Sequence, residues 1–518
     1  MQSEPYTSMD IASLLDDRAQ TRGHHPFLIW APFDAPSTTW SYASFADDTA
    51  RIASGLASLG VKLGDRVLVH LENCPETLLT RFACARLGAI CVSTNAMAAG
   101  PEMTWFTQLS GARIVITQPK FAELVDHHCP NIEWICLTHT DAGIKNSEFI
   151  RPKRSITFDA LRQEPFKRRQ VDPMLPASII FTTGTTSRPK GVVWTHANMI
   201  WAGQVGSTQQ GIQSHDIYQI FLPLFHVVGL AWSLLPALWA GATVVLQPKF
   251  SSSRYWPCAL EYKSTMGSQV IFTSRLLAQQ PVPQHHFRQW IDAIHRTDFE
   301  THFKLRILGS WGMTEMVSQP IMSELNKTQH DRTIGFPSNR YDLKIVNEQG
   351  LAVKPNEIGH LHVKAQRGVS IFLEYFNDPI ATAESFTEDG YFKTGDLVKL
   401  HSDGSIEFSE RSKDVIKVGG EGVSAAEIEK VINEVSDVIE SAVVAKPDNH
   451  YGEVAVAFVR LKESATGNSI DNILSHCQQS LARFKVPREI IVLEEFPKVG
   501  FGKLSKVRLR EMAAKSVT

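Results

Sequence analysis

The run Thr182-Thr183-Gly184-Thr185-Thr186-Ser187-Arg188-Pro189-Lys190-Gly191 gathers hydroxyls, backbone amides and a lysine between two apolar stretches. Ser178-Ile179-Ile180-Phe181 before it reads as a buried strand, and Val192-Val193-Trp194 after it as another. Gly184 opens backbone angles closed to other residues. Consecutive N–H groups in such a loop form a concave anion site. Pro189 stiffens the exit and Lys190 adds positive charge. The matching guest is a polyphosphate. A P-loop needs Gly-Lys-Ser/Thr at its end. Here Pro189 precedes the lysine and Gly191 follows it, so that reading is excluded. By itself a Ser/Thr/Gly cluster is more often a solvated turn.

The elements around this loop must hold it in place. Gly64-Asp65-Arg66 turns into the apolar run Val67–Leu71, Pro75 opens a helix that Gly88 ends, and Ala89–Ser93 is the next strand. The alternation recurs at residues 111–116. Strands alternating with helices over short connections predict a parallel α/β sheet covered on both faces. Residues 140–176 are polar and basic and read as a connector. Residues 217–248 contain no Asp, Glu, Lys or Arg, which mimics a membrane span. Pro223, Pro236 and Gly241-Ala242-Thr243 break the run, so a buried helix, a turn and a core strand are expected.

The 518 residues carry a formal charge of −2, with 43% hydrophobic and 20% charged residues. That balance gives no global attraction to nucleic acid or anionic membrane. Seven dispersed cysteines show no CxxC spacing, so reduced thiols and a cytoplasmic location are expected. The amino terminus lacks the basic and apolar regions of a signal peptide.

The order of residues from Thr182 to Gly191 resembles the phosphate loop of the adenylate-forming superfamily: acyl-CoA synthetases, luciferases and adenylation domains of peptide synthetases. Three more stretches resemble motifs of the same superfamily. They are Trp311-Gly312-Met313-Thr314-Glu315, Tyr391-Phe392-Lys393-Thr394-Gly395-Asp396, and Arg411-Ser412-Lys413-Asp414-Val415-Ile416-Lys417 with Gly419-Gly420. Pro497-Lys498-Val499-Gly500-Phe501-Gly502-Lys503 is similar to the terminal catalytic-lysine loop. Phe225-His226 matches the position that borders the acyl pocket, whose bland alternative is a hydrogen-bonded core histidine.

The resemblance implies a large N-terminal α/β domain of mixed and parallel sheets flanked by helices, residues 1–409, binding ATP and the acid. A small mobile α+β domain, residues 410–518, would follow as a lid. It implies ATP contacts from Thr182, Thr183, Gly184, Thr185, Thr186 and Lys190, with Trp311 stacking on adenine. Thr314 would donate to phosphate, Glu315 ligate Mg²⁺, Asp396 accept from the ribose, and Arg411 bind ribose or phosphate. Lys413 would be the hinge, and Gly420 would admit the pantetheine arm of coenzyme A. Catalysis would fall to Lys503, His226 and Thr314.

Two departures stand out. Family members usually carry a glycine-rich strand along the adenine, whereas residues 287–295 here contain no glycine. Asp292, Ala293 and Ile294 take that place. Glu410 stands where the hinge motif usually begins with glycine. The expected activity is AMP-forming ligation of a small carboxylic acid to CoA, by a monomer or homodimer. Thr-Ser-Arg-Pro-Lys and Phe372-Leu373-Glu374-Tyr375-Phe376 resemble carnitine/crotonobetaine-CoA ligase-like members. Loading of a carrier protein, luciferase-like oxygenation and an inactive nucleotide-binding homologue are the alternatives. Fifteen residues follow Lys503, so no fused carrier domain is expected.

Overall fold

The computed structural model describes residues 5–145, 151–182, 189–411, 415–462, 465, 468–499, 503–504 and 506–515. The described chain divides into two compact units. One contains residues up to 96 together with 106–180 and 191–410; the other contains 97–105, 181–190 and 411 onward.

The larger unit carries three sheets. The first has nine strands, and its centre is parallel: Arg306–Trp311, Gln289–Asp292, Met266–Ser268, Ile217–Ile220, Thr243–Leu246 and Pro26–Trp30 lie side by side in that order. The second has eight strands, in the order Glu374–Tyr375, Lys190–Thr195, Pro176–Thr182, Ile90–Ser93, Arg66–His70, Ile114–Thr117, Trp134–Leu137 and Ser155–Thr157. Ile90–Ser93 and Ile114–Thr117 are buried at every position, as parallel strands covered on both faces must be. The third sheet is a four-stranded ladder of Asp342–Val346, Ile358–Lys364, Phe392–Leu400 and Ile406–Arg411.

The apolar stretch that mimicked a membrane span folds as expected from its breakers. Ile217–Ile220 is a core strand, a π-helical turn Val228–Leu234 runs into the helix Leu235–Ala240, Gly241 caps that helix, and Thr243–Leu246 returns to the sheet. Pro236 stands at the junction where the π-helical segment passes into the α-helix. No helix among the described residues is long and apolar enough to cross a membrane. All seven cysteines are buried and no disulfide joins them.

The smaller unit is an α+β layer. Its five-stranded sheet contains Val415–Val418, Glu421–Ser424, Val438–Asp448, Gly452–Leu461 and Glu489–Val492. The helices Ala425–Asn433 and Ser469–Ser480 bury Ile428, Ile432, Ile473 and Cys477 in its core.

Candidate active site

The Trp311–Glu315 and Tyr391–Asp396 motifs meet in the larger unit. Trp311 ends the parallel strand Arg306–Trp311. Its indole Nε1–H donates to Asp396 Oδ2 at 2.9 Å, and both residues are buried. Asp396 is no loose turn residue. It lies within the strand Phe392–Leu400, just after Gly395, whose φ is +75°. There the register against Ile358–Lys364 shifts between His360 and His362. A residue with left-handed backbone at a bulge re-aims the side chain that follows. Thr394 fixes the bulge, donating to Leu361 O at 2.7 Å and accepting from Asp396 N at 3.1 Å.

Glu315 is 5% exposed and sits in a short 3₁₀ turn, Thr314–Met316, with no side-chain cap. The capped helix start that Gly-x-Thr-Glu often signals is therefore absent here. Tyr375 OH donates to Glu315 Oε1 at 2.7 Å. Burial, then the neighbouring Glu315 charge, pushes the Tyr375 phenol far above its usual range, so it remains a proton donor. The turn is pinned at two more points. Trp194 Nε1–H donates to Thr314 O at 2.9 Å, and Phe372 N–H donates to Glu315 O at 2.8 Å. The backbone is strained immediately beyond. Val317 has φ +66° and ψ −53°, and Ser318 N lies 2.6 Å from Met316 O, a γ-turn on a β-branched residue. Strain of this kind persists only where surrounding contacts over-determine it, commonly at functional sites.

Phe225 and His226 are half-buried, with ring centroids 4.6 Å apart. Their segment is clamped by Asn73, 3% exposed, on a distant part of the chain. Its side-chain amide reaches Phe221 O, Leu222 O and Gln247 O at 3.3, 3.0 and 3.2 Å, and its Oδ1 accepts from Leu224 N at 2.9 Å. The glycine-free stretch still forms a strand, Gln289–Asp292, parallel to Arg306–Trp311 with Asp292 opposite Gly309. The strand thus forms without the family's glycines, and Asp292 ends it.

Thr182 closes the strand Pro176–Thr182 and Lys190 opens Lys190–Thr195, so the backbone on either side of the phosphate-loop run is strand. Thr183, Gly184, Thr185, Thr186 and Lys413 lie outside the described residues. Arg411 ends the strand Ile406–Arg411, with only its backbone described. Gly420 stands in the turn between two strands of the smaller unit with φ +91°, which a side chain would strain. Lys503 pairs with Val499 in a two-stranded hairpin, again described by its backbone alone.

Three supporting residues were not picked out from sequence: Asn73, Trp194 and Tyr375. Trp194 lies in the apolar run after the phosphate-loop stretch and Tyr375 in the stretch noted for its resemblance, and neither position signals a role. No metal-binding group of three His, Cys, Asp or Glu occurs among the described residues. The buried carboxylate of Glu315 fits Mg²⁺, which commonly takes one or two protein carboxylates and completes its shell with phosphate and water.

A family model described as "AMP-binding enzyme" matches residues 15–376, and one described as "AMP-binding enzyme C-terminal domain" matches residues 427–503. The crotonobetaine/carnitine–CoA ligase of Salmonella enteritidis PT4 is 31% identical over 521 aligned residues, covering 97% of this chain and 99% of that protein. A double mutant of o-succinylbenzoate CoA synthetase from Bacillus subtilis, bound to a product analogue, superposes with TM-score 0.81 at 26% identity, over 96% of this chain and 98% of its own. A fatty acyl CoA synthetase of Mycobacterium tuberculosis gives TM-score 0.69 at 25% identity, over 97% and 98%.

Proposed function

Because the chain belongs to the AMP-binding enzyme family, we propose that it is an AMP-forming carboxylic acid–CoA ligase, built on the adenylate-forming fold. The observation that carries this reading is the joining of two motifs 85 residues apart, Trp311 to Asp396, beside the pinned Glu315.

A carboxylate is inert to thiols because its leaving group would be oxide. Its oxygen attacks the α-phosphorus of ATP, the bond to pyrophosphate breaks, and a mixed anhydride with AMP results. The thiol of CoA then attacks the carbonyl carbon, the C–O bond to AMP breaks, and the thiol proton passes to solvent. The first step brings two anions together, so the chain's task is positioning and charge cancellation. We assign Asp396 to the ribose hydroxyls, with Trp311 holding its carboxylate. Thr314 and Lys190 face phosphate oxygens in this reading, and His226 borders the acid. Glu315 would hold Mg²⁺, which supplies positive charge to the phosphates. Lys503 is assigned to the carboxylate and α-phosphate during adenylation, on a mobile C-terminal domain hinged at Lys413. Gly420 is assigned to the thiol arm.

The test is pyrophosphate release from MgATP with a panel of carboxylic acids, followed by AMP and thioester formation with CoA. No release with any acid sinks the ligase reading. Lys503→Ala separates the two steps. Adenylate formation should fall by about 10²-fold or more, while thioester formation from preformed acyl-AMP survives. Equal loss of both steps refutes the assigned role.

A further inference from the structure

Lys485 is 2% exposed, and its ammonium holds two carboxylates. Its Nζ donates to Glu427 Oε1 and Oε2 at 2.9 and 3.0 Å, and makes a short bond to Glu102 Oε1. An ammonium has three N–H groups, so these three oxygens saturate it. Glu427 stands in the first turn of the helix Ala425–Asn433, in the same C-terminal stretch as the lysine. Glu102 comes from 383 residues away, on the helix Gly100–Ser110. Residues 97–105 nevertheless belong to the smaller unit, and the same helix runs on from residue 106 as part of the larger one. Lys446–Glu489 and Lys506–Glu429 differ: each ties the C-terminal stretch to itself and stays partly exposed.

Lys485 and Glu427 by themselves make a neutral, bidentate pair. Glu102 adds a second anion, so the closed cluster buries an excess negative charge. Burying excess charge costs free energy, and withdrawing Glu102 restores a self-sufficient pair. The conflict shows on Glu427: burial raises its carboxyl, Lys485 opposes, and Glu102 raises it further. Burial would lower the Lys485 ammonium, yet Glu102 and Glu427 hold it above its usual value. A contact balanced in this way is suited to open and close. Glu102 is also anchored on its own helix, since its Oε2 accepts from Ala99 N at 2.8 Å. One turn on, Trp105 Nε1–H donates to Pro189 O at 3.0 Å, at the exit of the phosphate-loop run. Residues three apart share a helix face. One short stretch of helix is thus tied both to Lys485 and to the residue before Lys190.

We propose that Glu102 is a positioning residue for the thioester step. Its ion pair with Lys485 is a releasable latch: closed, it holds the C-terminal domain with Gly420 presented to the thiol arm, and it opens while Lys503 serves adenylation. This rests on the ligase reading above and on its hinged domain. The latch lies on the Gly420 side of that domain. Gly420 turns into the strand Glu421–Ser424, Ser424 caps the helix that follows, and Glu427 is in that helix's first turn. An unbroken strand and helix start therefore join the glycine to the latch. Closing the latch fixes the hairpin that carries Gly420. Releasing it leaves Lys485 paired with Glu427 and the domain free to turn.

Glu102→Gln tests this. The amide oxygen still accepts from Ala99 N, which turns the amide N–H groups toward Lys485, donor against donor. The half-reactions are read separately: pyrophosphate release from MgATP and acid, and single-turnover thioester formation from preformed acyl-AMP and CoA. Adenylation should stay within about twofold, while thioester formation falls about tenfold or more, as the loss of a charge-assisted bond shifts the population. Equal loss in both half-reactions, or undiminished thioester formation, overturns the proposal, since a merely structural ion pair gives one or the other. A second measurement closes the latch for good. All seven native cysteines are buried, so Glu102→Cys with Lys485→Cys can be joined by a short bis-maleimide. The cross-linked protein should keep thioester formation from acyl-AMP and lose pyrophosphate release at least about tenfold relative to the unlinked form. Full adenylation across the cross-link, or loss of both steps, sinks the latch. A wild-type chain that releases no pyrophosphate with any acid sinks the ligase reading instead, before any variant is made.

Discussion

Asp216 and Asp292 are buried to nearly the same degree on one sheet, at opposite ends of its strands. Asp216 immediately precedes the strand Ile217–Ile220, and Arg288 immediately precedes Gln289–Asp292. At that amino-terminal edge Asp216 accepts from Arg288 Nε at 3.0 Å and Nη2 at 2.7 Å, from Thr265 at 2.8 Å and from Gln213 N at 2.7 Å. Burial alone would raise its carboxyl, but these bonds, Arg288 foremost, hold it below the usual carboxylate value. Arg288 also donates to Gly211 O, the cap of the helix His196–Gln210. At the carboxyl edge, Asp292 keeps only neutral hydrogen-bond partners. One sheet thus places its charge-saturated corner at the end that joins elements and its unsaturated corner at the carboxyl edge, where ligands of open parallel sheets gather.

The sharpest way to break this division is at the carboxyl edge itself. Glu315→Gln keeps the hydrogen bond from Tyr375 and removes the anionic oxygen. Pyrophosphate release should fall on the order of 10³-fold, equivalent to about 4 kcal/mol, with the thermal transition almost unmoved. A large loss of stability with modest loss of rate would erase the contrast.

Asp216→Asn should do the reverse. It should cost about 3 kcal/mol of stability near neutral pH while kcat/KM per folded molecule is unchanged. Asp216 has a folded value below its unfolded one. Its contribution is therefore present above about pH 4 and disappears as pH falls through the folded value. Urea curves of variant and wild type should converge in acid.

Asp292→Asn has the opposite sign. Burial puts the folded value at about 6, above the unfolded value. Its cost to stability is therefore absent below about pH 4, grows between pH 4 and 6, and is complete above. The variant should be more stable than the wild type by about 3 kcal/mol near pH 7.5 and close to it near pH 4. Arg275 and Arg296 are the charged groups that temper this difference. A destabilised variant at neutral pH would place Asp292 with Asp216 among the structural carboxylates.

The smallest expected effect is at the support of Glu315, the carboxylate assigned to Mg²⁺. Tyr375→Phe should raise the magnesium concentration for half-maximal activity about tenfold, or about 1.4 kcal/mol. Activity at saturating magnesium should stay within about twofold. An unchanged magnesium curve would reduce the Tyr375–Glu315 bond to packing.

Much of the fold was legible because its parallel strands are short apolar runs between turn signals. Pro75 and Gly88 bound a helix as their chemistry requires, and Pro223, Pro236 and Gly241 turned a span-like stretch into separate elements. The Trp311–Glu315 and Asp396 motifs were legible as donors and acceptors. Asn73 was not, because an isolated asparagine carries no signal until four backbone groups converge on it. Asp292 was read as a weak adenine contact standing in for a glycine, and its sequence neighbours say nothing of what surrounds its carboxylate.

The sequence by itself determined which groups could bind phosphate, pair with a cation or ligate a hard metal, since those capacities belong to side-chain chemistry. Local breakers and apolar runs determined most of the elements as well. Only the tertiary structure decided which groups meet. Tyr375 reaches Glu315 across 60 residues because the strand Glu374–Tyr375 pairs with Lys190–Thr195, and Trp311 reaches Asp396 because a bulge at Gly395 turns that carboxylate inward. Whether a buried charge finds a counter-charge depends on sheet register and on which helix covers the strand. Those are properties of distant segments packed together, and no local stretch of chain contains them.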